Sequence, residues 1–409
     1  MSSSRKGYRT GTHRSCTPAD TFERVAPGME AMGITRIANV TGLDHLDIPV
    51  MMSCRPNARS LAVSQGKGLD LIAAKVSALM EALELFHAEE IDLPLRLATT
   101  KQLRSKRSIV EVDRLPRIAT SQFHEDQELL WIAGRELMSH ISIWVPYEMV
   151  HTNYSVPTLA SSGSFVMSSN GLASGNQPLE AISHAICEVI ERDAHTLWSL
   201  NQSQPRQRRV DLATIEDSDC RWVLDKFEQG DVAVAVWDVT SDIKVAAFRC
   251  QIIQRHPDPM RLLPQAVGIG CHPCREIALL RALTEAAQSR LTEIVGSRDD
   301  MRISRFDQTQ NYDWHLRTLD ELNSVHPSRR FDATPTFEGD TFVDDVNWQL
   351  ERLHAVGIHQ VVSVDLTKPA FGVPVFRIII PGLEPLHDVP GYMPGRRAQQ
   401  YLQTSGDVA

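Results

Sequence analysis

Residues 180–193 read E-A-I-S-H-A-I-C-E-V-I-E-R-D, and their spacing decides how the rest of the chain is read. At about 100° per residue on an α-helix, Glu180, His184, Glu188, Glu191 and Arg192 fall within an arc of roughly 120°. Ile182, Ile186, Val189 and Ile190 occupy the other side. Taken alone, such a stripe describes a helix with its charges in water. The segment just upstream changes the reading. Ser168-Ser169-Asn170-Gly171-Leu172-Ala173-Ser174-Gly175-Asn176 is a loop of small residues feeding the helix N-terminus, where backbone N–H groups and the helix dipole favour an anion. Carboxylates beside an anion repel it unless a cation stands between them. Oxygen ligands together with a phosphate point to Mg²⁺, so the expectation is a magnesium nucleotide site.

Two more helices repeat the design. The one from about Leu71 carries Ser77, Glu81 and Glu84 within an arc of about 60°, opposite Val76, Leu79, Leu83 and Phe86. The one over Arg275 to Ile294 carries Arg281, Glu285 and Gln288 on one stripe, opposite Leu279, Leu283, Ala287 and Ile294. If each apolar face packs on a sheet, the stripes converge in one cleft. Glu81, Glu84, Glu180, Glu188, Glu191 and Glu285 would repel one another strongly there. Divalent cations would offset that charge, and Lys67, Arg192 and Arg281 would face a triphosphate. Lys67 lies in Ser64-Gln65-Gly66-Lys67-Gly68, read as a small loop that is not a Walker A motif.

The 409 residues leave room for two or three domain-sized units. A hydrophobic fraction of 42% with 23% charged residues is that of an ordinary globular protein. The net charge of −9 gives no global attraction for nucleic acid or an anionic membrane. Arg5, Lys6, Arg9 and Arg14 read as a solvated arm or a local anion contact. Neither an N-terminal apolar core of a signal peptide nor an apolar run of about 18 residues occurs, so a cytoplasmic location is expected. Seven scattered cysteines describe no disulfide framework. Cys271-His272-Pro273-Cys274 reads as a turn between strand and helix, because zinc needs a second pair of ligands.

Elsewhere, Thr17-Pro18 marks a helix start, and 39–53 suggests short strands joined by Gly42 and Asp44. Residues 91–130 read as irregular, 129–145 and 150–159 as strands, and the polar run after Leu200 as a surface linker. Residues 232–239 and 245–253 form a hairpin turning near Ser241 and Asp242, followed by a strand at 266–269. Residues 301–345 read as a mobile excursion, 350–354 as helix, and 359–366 and 373–380 as strands. The prolines from Pro381 onward exclude helix and central strand. Alternation without a regular βαβ repeat predicts an α/β fold with mixed sheets and flanking helices around one central nucleotide cleft. The divisions are an N-terminal strand and helix region (1–60), a catalytic domain (61–400, with motif segments 64–90, 168–195 and 275–300) and a polar tail (401–409).

Ser77-x₃-Glu81-x₂-Glu84, then S-N-G-L-A-S-G-N followed by Glu180-x₇-Glu188-x₂-Glu191-Arg192, then Arg281-x₃-Glu285, together resemble the YcaO superfamily. Weaker phrases such as I-P-V, R-P-N and V-P-V-F-R-I-I-I-P-G-L-E-P extend the likeness over most of the chain. The resemblance implies an ATP- and Mg²⁺-dependent enzyme that phosphorylates the oxygen of a backbone amide in a ribosomally made peptide or protein. Attack by a neighbouring side chain then yields an azoline, and an external sulfur donor yields a thioamide. It implies Glu81, Glu84, Glu188 and Glu191 as magnesium ligands. Nucleotide or phosphate contacts fall to Lys67, Ser77, Asn176, Glu180, Arg192, Arg281 and Glu285, with Arg14 and Thr21 as a looser match to an N-terminal pair. Glu180 and Arg192 also belong to the catalytic group, and His184 is a candidate base. Azoline-forming members often end in a P-x-P-x-P tail, whereas this sequence continues beyond Pro394 to Arg396-Arg397-Ala398 and a polar end, and no fused leader-binding domain is expected. Those departures favour a thioamide-forming enzyme working with a TfuA-type partner and an external sulfur donor; a homodimer follows by analogy, and an azoline cyclodehydratase or a nucleotide-binding accessory factor for ribosomal protein modification are the alternatives.

Overall fold

The computed structural model describes residues 5–158, 162–200, 207–298 and 311–406. Helix α1 (Pro18–Val25) starts at the expected point, with Thr17 and Asp20 forming a reciprocal capping box. Strands β1 (Arg36–Asn39), β2 (Val50–Cys54) and β3 (Val63–Lys67) form an antiparallel sheet in that order. The sheet straddles position 60, so the N-terminal region and the segment after it share one ladder. The Ser64–Lys67 stretch is therefore strand, not the loop its glycine suggested. Helix α2 (Leu71–Glu89) lies across it.

The physical reason for Gly66 is the closeness of that helix. A Cβ at position 66 would stand 2.0 Å from the Ala78 nitrogen and 2.3 Å from the Ala74 oxygen. Ala74, Ala78 and Ala82, one helical turn apart, are fully buried. Helix and strand thus meet backbone to backbone along a seam of small residues.

The chain continues through β4 (Leu95–Thr99), α3 (Thr100–Arg104), β5 (Glu128–Glu136), β6 (Ser142–Pro146), β7 (Leu172–Ser174) and α4 (Pro178–Leu200). After these come β8 (Val210–Asp211), α5 (Ser218–Gln229), β9 (Val232–Asp238), β10 (Ala247–Gln254), β11 (Ala266–Cys271) and α6 (Arg275–Val295). The last group is α7 (Tyr312–Ser324), β12 (Arg329–Arg330), α8 (Phe342–Ala355), β13 (Val362–Asp365), β14 (Val375–Ile379) and α9 (Arg396–Gly406). A second sheet runs β4-β5-β13-β14-β7 with β6 paired to β5, and a third runs β11-β10-β9. Helix α4 packs on the second sheet and on β11, and α6 packs on the third sheet. The seam recurs at α6. Ala278, Ala282 and Ala286 are fully buried, and a Cβ on Gly268 would stand 2.2 Å from the Ala282 oxygen.

The mixed α/β expectation holds, and the 232–253 hairpin and the Cys271–Cys274 turn lie where the sequence put them. Several segments differ. Residues 91–127 contain β4 and α3 rather than only irregular chain. The 150–158 stretch enters no ladder, and Leu159 lies outside the described residues, as do the 201–206 linker and 301–310. The remainder of the supposed excursion holds α7, β12 and the start of α8, and the chain beyond the prolines forms α9. Among the described residues, no helix is long and apolar enough to cross a membrane.

Candidate active site

The polar stripes of α2, α4 and α6 face one another across a cavity of about 1190 Å³. Every residue singled out from the sequence lines it: Arg14, Thr21, Lys67, Ser77, Glu81, Glu84, Asn176, Glu180, His184, Glu188, Glu191, Arg192, Arg281 and Glu285. Val76, placed on the apolar face of α2 by the helical wheel, lines it too.

Three of the four carboxylates expected to hold metal are aimed by specific donors. The Gln65 backbone N–H donates to Glu81 Oε2 at 3.2 Å, and the Ser174 N–H and hydroxyl donate to Glu84 Oε1 at 2.7 and 2.6 Å. Gly171, held at φ +79°, donates its N–H to Glu188 Oε1 at 3.2 Å. The Glu191 Oε2 atom is buried without a partner. Burial raises Glu81 to about 7, Glu84 to about 8 and Glu191 to about 7, and it raises Glu188 as well. Mutual repulsion adds to this, since Glu188 acts on Glu81, Glu84 and Glu191.

Cations stand among these carboxylates: Arg192 Nη1 lies 3.7 Å from Glu191 Oε1. Lys67 Nζ pairs with Glu285 Oε2 at 2.9 Å, and the Ile269 N–H donates to Glu285 Oε1 at 3.2 Å. Burial acts to raise Glu285, but Lys67 and Arg192 outweigh it and hold the carboxylate below its ordinary range. Arg281 lies 3.3 Å from His184 Nδ1 through Nη1, while its Nε is buried and unpartnered. Burial, then Arg281 and Arg14, keeps His184 well below the usual imidazole range, so the ring is neutral and weakly basic.

The N-terminal arm closes one side. It is not a solvated arm: Lys6 Nζ makes a buried ion pair with Asp345 at 2.8 Å. Residues Tyr8 and Arg14 exchange backbone hydrogen bonds at 2.9 Å around a turn at Gly11. Glu180 accepts from Arg14 Nη1 at 3.3 Å and from the Ser15 N–H and hydroxyl at 3.0 and 2.8 Å. Thr21 Oγ1 donates to Asn176 Oδ1 at 2.9 Å, which explains the Arg14 and Thr21 spacing. Ser15, Gln65 and Ser174 escaped sequence reading, since they act by holding other residues. Arg298, whose charge offsets the burial of Glu81, lies just beyond the end of α6. Asp388, which lines the cavity from the C-terminal tail, left no local signal.

Hard oxygen donors with unneutralised charge suit Mg²⁺ better than a soft metal. An unpartnered Glu191 oxygen and an unpartnered Arg281 nitrogen in one cavity are an acceptor and a donor awaiting ligands of opposite sign. The residues present therefore fit a magnesium ion and a polyphosphate.

The raised carboxylates set a direction for pH dependence. Their folded values lie above the roughly 4.3 of an unfolded glutamate, so the native state holds more protons and stability falls as pH rises. Buried histidines work the other way, but their contribution is complete above about pH 6.5. Between about pH 7 and 8.5 the melting temperature of the ligand-free protein is expected to fall, and Mg²⁺ with a nucleotide to stabilise it more at the higher pH. A ligand-free melting temperature that climbs across this window contradicts the assignment.

A cleft walled by three helices, with buried carboxylates and cations side by side, defines an enzyme that handles a metal-bound nucleotide. The family model described as "YcaO cyclodehydratase, ATP- and Mg²⁺-binding" matches residues 65–384. The chain belongs to the YcaO family and is an ATP-dependent peptide-modifying enzyme with ATP and Mg²⁺ as its ligands. A relative from Rhizobium leguminosarum bv. trifolii, described as an uncharacterized protein in the tfuA 3′ region, is 36% identical over 382 residues, covering 91% of this chain and 88% of its own. The YcaO protein of Methanopyrus kandleri, solved with AMPPCP and Mg²⁺, superposes with a TM-score of 0.74 at 20% identity, over 96% of this chain and 98% of that one. A heterocyclase solved in complex with substrate and cofactor gives a TM-score of 0.78 at 21% identity, over 97% of this chain. This chain spans 55% of that heterocyclase.

Proposed function

We propose that the protein activates a backbone amide of a ribosomally made peptide or protein and exchanges its oxygen for sulfur, working with a TfuA-type partner. The observation that carries the activation step is the cavity itself, with buried carboxylates of raised pKa facing Lys67, Arg192 and Arg281. In this reading Glu81, Glu84, Glu188 and Glu191 hold Mg²⁺. Arg192, Arg281 and Lys67 face the phosphates, and Glu180, Glu285, Asn176, Ser77, Arg14 and Thr21 position the nucleotide. When bound, Mg-ATP supplies the transferable phosphoryl group and neutralises charge along the reaction path. The chain's own task is alignment and exclusion of water, which phosphoryl transfer chiefly requires.

The amide oxygen takes the γ-phosphoryl group, the amide nitrogen gives up its proton, and ADP departs. Addition of hydrosulfide to the activated carbon then expels phosphate, and the nitrogen regains a proton. His184 suits a positioning role better than that of the base, because Arg281 and burial lower its affinity for a proton; its unprotonated nitrogen accepts from the Arg281 guanidinium and fixes its plane. The Rhizobium relative's tfuA context supports the sulfur reading, and the family description as a cyclodehydratase supports azoline formation as the second reading.

Co-expression with candidate peptides and mass spectrometry separates them. A mass gain equal to sulfur minus oxygen is the expected outcome, whereas loss of one water identifies an azoline and rules out sulfur exchange for that peptide. Peptide-stimulated, Mg²⁺-dependent ATP hydrolysis is also expected. Tight nucleotide binding without any turnover would point to an accessory role.

A further inference from the structure

The cleft-facing stripe of α4 does not stop at Glu191. His195 and Trp198 continue it at i+4 and i+7, and they meet a cluster that nucleotide binding does not use. Arg249 of β10 pairs across the ladder with Trp237 of β9. Its guanidinium lies 5.0 Å from the Trp198 ring centre and 5.2 Å from that of Trp237, and the two indoles are 5.9 Å apart. His195 stacks on Trp198 at 6.2 Å and lies 5.7 Å from His387.

Hydrogen bonding in this cluster does not close. Trp198 Nε1, Trp237 Nε1, His195 Nδ1 and His387 Nδ1 are all buried with no partner, and Trp237 is only 5% exposed. An indole N–H can only donate, and buried donors left unmet are rare enough to require an explanation. Arg249 donates to Gln251 Oε1 at 3.0 Å and has no ion-pair partner among the described residues. Burial holds its pKa down to about 10. One cation with a single hydrogen-bonded acceptor and two indole donors with none therefore lie within one cluster. Gln251 Nε2 in turn donates to Gln265 Oε1 at 2.9 Å, and Gln265, Arg192 and Asp388 line the nucleotide cavity. The cluster stands directly behind that wall.

We propose that Arg249, Trp198 and Trp237 form an anion subsite adjoining the nucleotide cleft, which takes a small, weakly hydrated monoanion of the hydrosulfide class. A metal cation is excluded by the guanidinium. A phosphate dianion is disfavoured, since aromatic walls and one positive charge do not replace the hydration that a multiply charged ion gives up. A monoanion balances the single guanidinium and supplies lone pairs to both indoles. The anion's identity as sulfur donor rests on the thioamide reading above; the existence of the subsite does not.

Iodide is the probe for the site, because its binding beside two indoles quenches their fluorescence. Titration at constant ionic strength is expected to show a saturable phase that hydrosulfide competes away and phosphate does not. Arg249→Met should abolish that phase. Trp198→Phe, which keeps the ring stack and loses only the N–H, should weaken it and guards against a folding failure in the first variant. Purely linear, collisional quenching of the unmodified protein overturns the subsite, as does a saturable phase that survives Arg249→Met. With a peptide that becomes thioamidated, Arg249→Met is expected to raise the KM for hydrosulfide about tenfold or more. An unchanged value there overturns the donor assignment. If the product is an azoline instead, the thioamide reading fails while the iodide result still decides the site.

Discussion

Glu191→Gln is expected to lower Mg²⁺-dependent ATP turnover about a thousandfold or more, because removing one carboxylate from a metal cage forfeits several kcal/mol of charge stabilisation. The ligand-free protein should melt at the same temperature or higher at about pH 8. The two outcomes follow from one observation: Glu191 is buried, carries an unpartnered oxygen and is raised to about 7, so in the absence of metal its ionised form is a burden that glutamine does not carry. Glu81→Gln should behave alike, its carboxylate being raised to about 7 by burial. Turnover and magnesium titration, read beside thermal melting, check both. A variant that melts much earlier without ligand while still binding Mg-ATP normally would assign Glu191 a structural part instead.

Gly268→Ala should be strongly damaging, although it adds only a methyl group. Its Cβ would approach the Ala282 oxygen at 2.2 Å and the Ala286 nitrogen at 2.3 Å, and backbone cannot swing aside as a side chain can. Either α6 retreats from β11, breaking the Ala278, Ala282 and Ala286 seam, or the strand bends. We expect about 3 kcal/mol or more of lost stability in chemical denaturation. Nucleotide affinity should fall as well, since α6 carries Arg281 and Glu285. Gly42→Ala is the matched control. It has nothing within 4 Å and no left-handed backbone, so a near-neutral effect is expected. Equal losses at the two sites would show that steric closeness is not the cause.

Much of the site could be read from residue spacing because helical periodicity converts sequence distance into direction. Glu81 with Glu84, and Glu188 with Glu191, each had to share a face whichever sheet they packed on. The strongly β-branched strands were readable for a similar reason, as their apolar runs reflect burial on a layer. Gly66 misled because a glycine demanded by a close helix looks the same in sequence as one demanded by a turn. The tail misled for a different reason. Residues 384–398 are held by Glu384, which accepts from the Tyr392 hydroxyl at 3.0 Å and from the Gly395 and Ala398 N–H groups at 3.0 Å. Arg397 then bridges Asp193 on α4 and Asp242. Such pairings join residues far apart in sequence and leave no period to detect, so Asp388 could be placed at the cleft only by the folded chain. The same holds for Trp237 and Arg249, which become neighbours through strand register.

Each helix proposed to supply a magnesium ligand or a phosphate contact rests mainly on a different sheet, α2 on β2 and β3, α4 on β7 and β14, α6 on β10 and β11, with β7 also touching α2 and β11 also touching α4. The cavity's walls thus come from three sheets, and like charges push them apart in the ligand-free protein. A bound ion would then act as a rivet between separate plates, damping their relative breathing. Amide hydrogen exchange at Gln65, Gly171 and Ile269, whose N–H groups hold the carboxylates from those plates, should slow together when metal and nucleotide arrive.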